Sequence, residues 1–314
     1  MTVATSMRFD GMPLLERAAE AAFYGVRARG AVVLAFHEID PAKFERWVRL
    51  LRREFELVSL DELVRRRTCG ERLAGLLALT FDDGWATTCE PVAALCDREG
   101  WPVTIYLVSR ACGEAETLWF AELPALLDAA RGRRIESDGW VLDLTGEGEA
   151  RASAELVERL KMLPGDEAVQ AVSRLRAAAG LPPEKRRRPT FVGPDFVRRY
   201  RESPWVKIGS HSVDHQAVVA QPESSLHAQW TESRAVLEEL AGQEVRHFAY
   251  PYGAPSEIGT AAPRLVTTHY DSAVTMVRGV CHEKTDLAQL PRVPLYDSDG
   301  DLRMIAKIAL APWT

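Results

Sequence analysis

Two short segments carry residue types that can do chemistry. Thr80-Phe81-Asp82-Asp83-Gly84 sets two adjacent carboxylates behind the apolar run Leu76-Leu77-Ala78-Leu79, and His211-Ser212-Val213-Asp214-His215 sets two imidazoles four residues apart. Adjacent carboxylates at the end of a buried strand are costly unless a cation or a set of donors compensates them. Two histidines and one carboxylate make a metal site with positions left open for water and substrate, which marks a catalytic rather than a structural ion. The second aspartate then stays free to act as a general base. Each segment alone has an ordinary explanation, a helix-capping Asp pair or a surface HxxxH; together they favour one shared site. Neighbouring strand residues point to opposite faces, so Asp82 and Asp83 can share it only if the chain turns there, and Gly84 permits the turn. Asp214 is placed to hold one imidazole in its ligating tautomer from behind. One divalent ion is expected, zinc first, with nickel, cobalt or iron suited to the same donors.

The elements around these segments must bring them together. Apolar, β-rich stretches predict strands at Ala31–Phe36, Leu57–Leu60, Leu76–Phe81, Val103–Val108, Val206–Ser210, Arg246–Tyr250, Ser272–Val277 and Arg292–Tyr296. Between them, helical spacing predicts helices at Pro41–Phe55, Leu60–Arg67 with Ser59 as cap, Pro91–Glu99 stopped by Gly100, and Glu223–Leu240. This alternation is the signature of βα units around a parallel sheet, in the size range of a (β/α) barrel. Trp119–Arg201 interrupts it with a largely helical pattern anchored by Leu126, Leu127, Leu156, Leu160, Val169, Val172 and Leu175, and reads as an insertion between two barrel strands. Residues 1–30 read as an N-terminal extension, helical over Leu14–Tyr24, and 31–314 as the barrel with its insertion. In such barrels chemistry sits where strands end, and His37, Asp82, Asp83, His211 and the Pro251-Tyr252 turn all fall at predicted carboxyl ends.

Composition narrows the partners. The 314 residues are 46% hydrophobic, enough for a full core, and the net charge of −6 argues against nucleic acid. The basic run Lys185-Arg186-Arg187-Arg188 lies among prolines and reads as a solvated loop, or more pointedly as a patch for an anionic substrate. No stretch approaches the ~20 apolar residues of a membrane span, so no stable membrane insertion is expected. Seven charged residues interrupt Met1–Gly30, which lacks the shape of a signal peptide. Five cysteines without CxxC spacing predict neither a structural zinc nor a disulfide framework, and free thiols with no leader point to the cytoplasm.

At this point a family resemblance is clear. Thr80–Gly84 and His211–His215 resemble the first two motifs of the polysaccharide deacetylases, the NodB-homology carbohydrate esterases, and Phe248-Ala249-Tyr250-Pro251-Tyr252-Gly253 resembles their third. The likeness runs from about Val32 to Tyr296 and is weakest in the insertion. It implies a deformed (β/α)7 barrel that removes N- or O-acyl groups from sugars. It also implies Asp82 as the general base, Asp83, His211 and His215 as the metal ligands, and the backbone N–H of Tyr252 as part of an oxyanion hole, with Pro251 and Tyr252 facing the substrate. Two departures stand out. Where the family commonly has a base-orienting arginine this chain has Ala249, and Arg292 is a candidate to replace it from another strand end. The family's C-terminal Leu-x-x-His is missing, while Leu34-Ala35-Phe36-His37 matches it near the N-terminus. The chain therefore resembles a circularly permuted branch, with His37 as the general acid.

The leading expectation is a metal-dependent hydrolase that removes an N-acyl group, by resemblance an acetyl, from an amino sugar in a saccharide or polysaccharide precursor. The alternatives are a metal-independent amidase and a non-catalytic carbohydrate-binding module on the same fold. Trp85, Trp101, Trp119, Trp140 and Trp205 are candidates for sugar stacking in the latter, although packing is their ordinary role. His227, His247, His269 and His282 are expected to be surface or structural residues.

Overall fold

The structure is a computed structural model that describes residue 19 and residues 22–112, 118–181 and 190–311. The run Lys185–Arg188 lies outside the described residues, as does most of the N-terminal extension; Phe23 and Val26 from its end are buried.

Ten strands are described: β1 Val32–Phe36, β2 Glu56–Leu57, β3 Leu76–Phe81, β4 Val103–Leu107, β5 Arg134–Ser137, β6 Trp140–Asp143, β7 Val206–Ser210, β8 His247–Ala249, β9 Ser272–Arg278 and β10 Leu290–Pro294. Seven of them run in the parallel order β1-β10-β9-β8-β7-β4-β3, and pairing of β1 with β3 closes the ring; β2 adds to the start of β3. The result is a (β/α)7 barrel, and its deformation is visible in the register. β7 and β4 share five residue pairs, whereas β7 and β8 meet only at Ser210 and Phe248. A register shift also separates Leu290 from Arg292 where β10 runs along β9.

The strands are apolar on both faces because both are covered. Val33, Ala78, Tyr106, Ala249, Val274 and Leu290, from six different strands, pack together inside the ring. Gly209 of β7 has no side chain there because a Cβ would stand 2.4 Å from the Tyr106 ring. Val32, Leu34, Phe36, Leu79, Phe81 and Ile105 alternate with these and pack outward into the cluster that holds the surrounding helices.

The helices follow from local signals. Pro41–Leu51 starts with Asp40 accepting from the Lys43 N–H and buries Phe44, Trp47, Val48 and Leu51; it ends short of Phe55. Ser59 caps Leu60–Thr68 as expected, accepting from the Glu62 N–H at 3.1 Å, but the Glu62 carboxylate pairs with Arg65 and Arg66 instead of closing a capping box. Helix Ala86–Glu99 starts earlier than the sequence suggested, with Pro91 inside it, and stops at Gly100 in the left-handed conformation. Glu223–Ala241 matches its prediction and ends at Gly242 in the same way.

Between β4 and β7 lies the expected insertion, with helices Trp119–Ala130, Glu149–Lys161, Gly165–Ala178 and Pro194–Arg199. It also contains the antiparallel hairpin β5–β6, which the helical reading missed. Its core is its own: Trp119, Leu126, Leu156, Leu160, Val172 and Leu175 cluster with Ile135 and Leu142 from the hairpin. Among the described residues no helix is long and apolar enough to cross a membrane.

Candidate active site

The site forms at the carboxyl ends of β1, β3, β7 and β8, and each turn there is backbone-specified. The chain reverses directly after β3, where the Gly84 N–H donates to the Asp82 carbonyl at 2.8 Å with Asp83 at φ 68°. After β8 the Gly253 N–H donates to the Pro251 carbonyl at 2.7 Å with Tyr252 at φ 62°. These are tight three-residue turns of the rare positive-φ kind. Between them, Ser212 and His215 also take positive φ, 66° and 61°. Four of the five described non-glycine residues with positive φ are therefore at this site. Each such residue costs of order 1–3 kcal/mol and persists only where its surroundings over-determine it.

The turn at Asp83, rather than Gly84 alone, brings both aspartates to one place. Asp83 Oδ1 lies 3.4 Å from His211 Nε2 and 3.4 Å from His215 Nε2, and the two imidazole nitrogens are 3.2 Å apart. Metal–ligand bonds of about 2.0–2.2 Å subtend ligand–ligand edges of about 3–3.5 Å, so these separations suit a single small ion. All three residues are buried. The donor chemistry agrees. His211 Nδ1 donates to the Ala249 carbonyl at 2.7 Å, so in its neutral, metal-ligating form the ring turns a bare Nε2 lone pair toward His215 and the Asp83 carboxylate. Lone pairs and a carboxylate facing one another in a buried site need a cation among them. Burial works against the Asp83 charge, yet the two imidazoles prevail and hold its carboxyl well below the usual carboxylate range. His211 is held above its ordinary value against the pull of burial, chiefly by Asp83, whereas burial and the His211 charge push His215 down.

Asp82 stands beside this cluster, outside the ligand set. Arg292, wholly buried in β10, meets it with both arms: Nη1 donates to Oδ1 at 2.7 Å and Nη2 to Oδ2 at 2.6 Å. Arg292 Nε donates to the Thr275 carbonyl at 2.8 Å and Nη1 also to Thr80 Oγ1 at 3.1 Å. The arginine reaches Asp82 from within β10 rather than from a strand end, and position 249 holds an alanine. Burial disfavours the Asp82 anion, but the Arg292 charge and hydrogen bonds outweigh it and hold the carboxyl below its usual range. His37 follows β1 with Nε2 at 3.9 Å from Asp82 Oδ2.

Two expected residues behave otherwise. Asp214 bonds to neither imidazole: its Oδ2 accepts from the Gly165 N–H at 2.9 Å, tying this loop to the insertion, while the Ala249 carbonyl holds His211 and His215 Nδ1 is buried without a partner among the described residues. Pro251 is buried and spends its carbonyl on the turn instead of lining the pocket. The tryptophans do not line it either. Trp101 and Trp119 are buried in packing, and the aromatic walls are Phe120, Tyr250, Tyr252 and Tyr296. The cavity, about 510 Å³, also reaches Lys161, Glu257 and Met276.

Several supporting residues escaped the sequence reading. The Trp85 indole donates to Asp83 Oδ2 at 3.0 Å and so aims Oδ1 at the histidines. Ser212 Oγ accepts from the His215 N–H at 3.0 Å, and Ser233 Oγ donates to the Ser212 carbonyl at 3.1 Å. Trp85 follows Asp83 by two residues, a spacing that offered the only sequence signal. The other histidines lie elsewhere, as expected. His247 bridges Ser272 Oγ and Asp61 at the amino end of β8, and His227 pairs with His269.

Comparisons with known proteins agree with this geometry. A family model described as "Polysaccharide deacetylase" matches residues 70–265, more than half of the chain, spanning Asp82 through Tyr252 but not His37 or Arg292. No curated protein sequence matches. Among solved structures, IcaB from Ammonifex degensii superposes with a TM-score of 0.56 at 16% identity, covering 90% of this chain and 98% of its own. The Streptococcus pyogenes deacetylase PplD, solved in complex with acetate, gives 0.55 at 10% identity over 89% and 97%. A de-N-acetylase from Aggregatibacter actinomycetemcomitans gives 0.54 at 15% over 88% and 99%. At such identities these likenesses establish a shared fold.

Proposed function

Because this chain belongs to the polysaccharide deacetylase family, we propose that it is a metal-dependent hydrolase that removes an N-acetyl group from an amino sugar within a saccharide. The observation that carries the proposal is the convergence of Asp83 Oδ1, His211 Nε2 and His215 Nε2 within 3.4 Å of one another, with Asp82 beside them and uncommitted to the ligand set.

Asp83, His211 and His215 would hold the ion, zinc being our first choice. Bound there, a divalent cation supplies Lewis-acid polarisation and a water reactive near neutral pH. The chain's own groups do the rest. Asp82, kept anionic and aimed by Arg292, accepts the proton of the attacking water. The Tyr252 N–H has no partner among the described residues and is the donor offered to the oxyanion; one such donor is typically worth ~3–4 kcal/mol. His37, on the open side of the pocket, delivers a proton to the departing amine, completing a general base and acid pair. His37 reaches the site from the strand that begins the barrel, consistent with a permuted order of motifs.

A sugar-binding module has no use for a buried arginine–carboxylate pair beside a metal cradle, since such a pair is expensive to desolvate. The test is acetate release from N-acetylglucosamine oligomers by the zinc-loaded chain. Asp82→Asn is expected to lower turnover by about 10²–10⁴-fold, the range for a general base, while zinc content stays at the wild-type level. Wild-type turnover in this variant would remove Asp82 from the mechanism. Sugar binding without acetate release by the loaded wild type would favour the module.

A further inference from the structure

The insertion is more than a neighbour of the pocket. Helix Glu149–Lys161 ends at its wall, and Lys161 touches both strained loops of the site at once. Its Nζ donates to Glu257 Oε1 at 2.8 Å, with both side chains 15% exposed. Glu257 Oε2 in turn accepts from the Ala254 N–H at 3.0 Å, two residues beyond the Tyr252 turn. The same ammonium lies 4.7 Å from the centre of the Tyr252 ring, within cation–π range. At its backbone, the Lys161 carbonyl accepts from the Ala217 N–H at 3.1 Å, and the next carbonyl, Met162, accepts from Gln216 Nε2 at 3.3 Å. Both bonds hold the segment directly behind His215.

The two loops also meet each other. The Tyr252 and His215 rings sit edge to face at 4.7 Å, Phe120 of the insertion covers His215 at 4.9 Å, and Tyr252 packs against the insertion's core. His215 and Tyr252 are the residues at φ 61° and 62°, conformations that need external support. Glu158, the second carboxylate on the Lys161 ammonium, is 68% exposed and adds little. The less exposed Glu257 arm does the holding.

We propose that Lys161 is a positioning residue through which the helical insertion fixes the Tyr252 turn against the His215 loop. The clamp itself rests on these contacts alone; its kinetic consequence rests on the proposed function, in which the Tyr252 N–H receives the oxyanion. Lys161→Met keeps the apolar stem and removes the charge, and Lys161→Arg keeps the charge.

The experiment is hydrogen exchange by mass spectrometry on the zinc-loaded full chain, paired with steady-state acetate release from N-acetylglucosamine oligomers. In Lys161→Met, amides of 252–257 are expected to exchange roughly 10-fold faster, those of 214–217 to change less because the backbone bonds from the Lys161 and Met162 carbonyls remain, and those of β1 and β3 to keep wild-type protection, since local openings are independent of global ones. Turnover should fall by about 10–100-fold with KM within about 2-fold, because a misplaced donor costs rate rather than binding. Lys161→Arg should restore most of both. Unchanged exchange in 252–257, or a rise spread evenly over the barrel, overturns the clamp. A loss confined to KM overturns it too, because Lys161 would then be a substrate contact. If the wild type releases no acetate, the functional reading fails, while the exchange data still decide the clamp.

Discussion

At Asp82 the charge proposed to act as the base is also one the fold must hold. Its partner Arg292 has no exposed surface, and five hydrogen bonds, to Asp82, Thr80, Thr275 and the Met276 sulfur, satisfy the guanidinium inside the barrel. Removing one member of a buried pair leaves the other uncompensated, a loss of about 3–5 kcal/mol. Arg292→Met should therefore lose stability of that order in denaturant titration as well as activity; a loss below about 1 kcal/mol would mean that the pair is not desolvated as the structure has it. The Asp82, Asp83, His211 and His215 set was legible from residue type and spacing, because few arrangements of two carboxylates and two imidazoles at strand ends make sense apart. Arg292 was legible only as a candidate, since nothing local distinguishes it from any other strand arginine. Trp85, Ser212 and Lys161 were not legible, because their roles depend on where other segments arrive.

At the scale of elements, strands and their turns decide which atoms meet. Gly209 lets β7 pass close to Tyr106 inside the barrel, two residues before His211. Gly209→Ala would push a methyl into that ring, and overpacking of this kind costs about 1–3 kcal/mol. The expected result is a lower denaturation midpoint, with zinc bound more weakly because His211 follows the displaced strand. A midpoint equal to wild type would show that the lumen has slack. Past β10, Asp299 accepts from the Tyr296 N–H and pairs with Lys307 of the following helix. Burial opposes its charge, but Lys307 and that N–H prevail and hold the carboxyl below its ordinary value. A depressed carboxyl stabilises the fold above its unfolded pKa of about 3.9, and the benefit fades as pH falls through the lower folded value. Asp299→Asn should thus be less stable than wild type at pH 7, and the gap should narrow below about pH 4. A gap that stays constant across this range would mean that the carboxyl is not selectively charged in the folded state. Most strands were legible from apolar runs, as Leu76–Phe81 and Val206–Ser210 show. The hairpin β5–β6 was not, because its four-residue strands alternate exposed and buried positions too briefly to stand out among helices.

Across the whole molecule, the barrel and its insertion share the site. The barrel supplies the proposed ligands Asp83, His211 and His215 together with Asp82, Arg292 and His37, while the insertion contributes Phe120 and Lys161 to the pocket wall. A ligand that binds only the folded state stabilises it by mass action, by about 4 kcal/mol at a thousand times its dissociation constant. Chelation should therefore lower the melting temperature of the zinc-loaded chain by several degrees and abolish acetate release. Asp83→Ala should melt at the same temperature with or without chelator. A chelator-insensitive wild type that still releases acetate would point to an amidase without a metal.

The sequence by itself determined the candidate site and the class of its scaffold: two carboxylates and two imidazoles at strand ends, in a βα alternation that builds a parallel sheet. These are local properties, written in residue type and period. Tertiary structure alone decided which groups serve them. It gave His211 to the Ala249 carbonyl instead of Asp214, took the arginine for Asp82 from β10, and set Lys161 between two strained turns. Such contacts join residues from tens to more than two hundred positions apart, and they exist only once the ring of strands has closed.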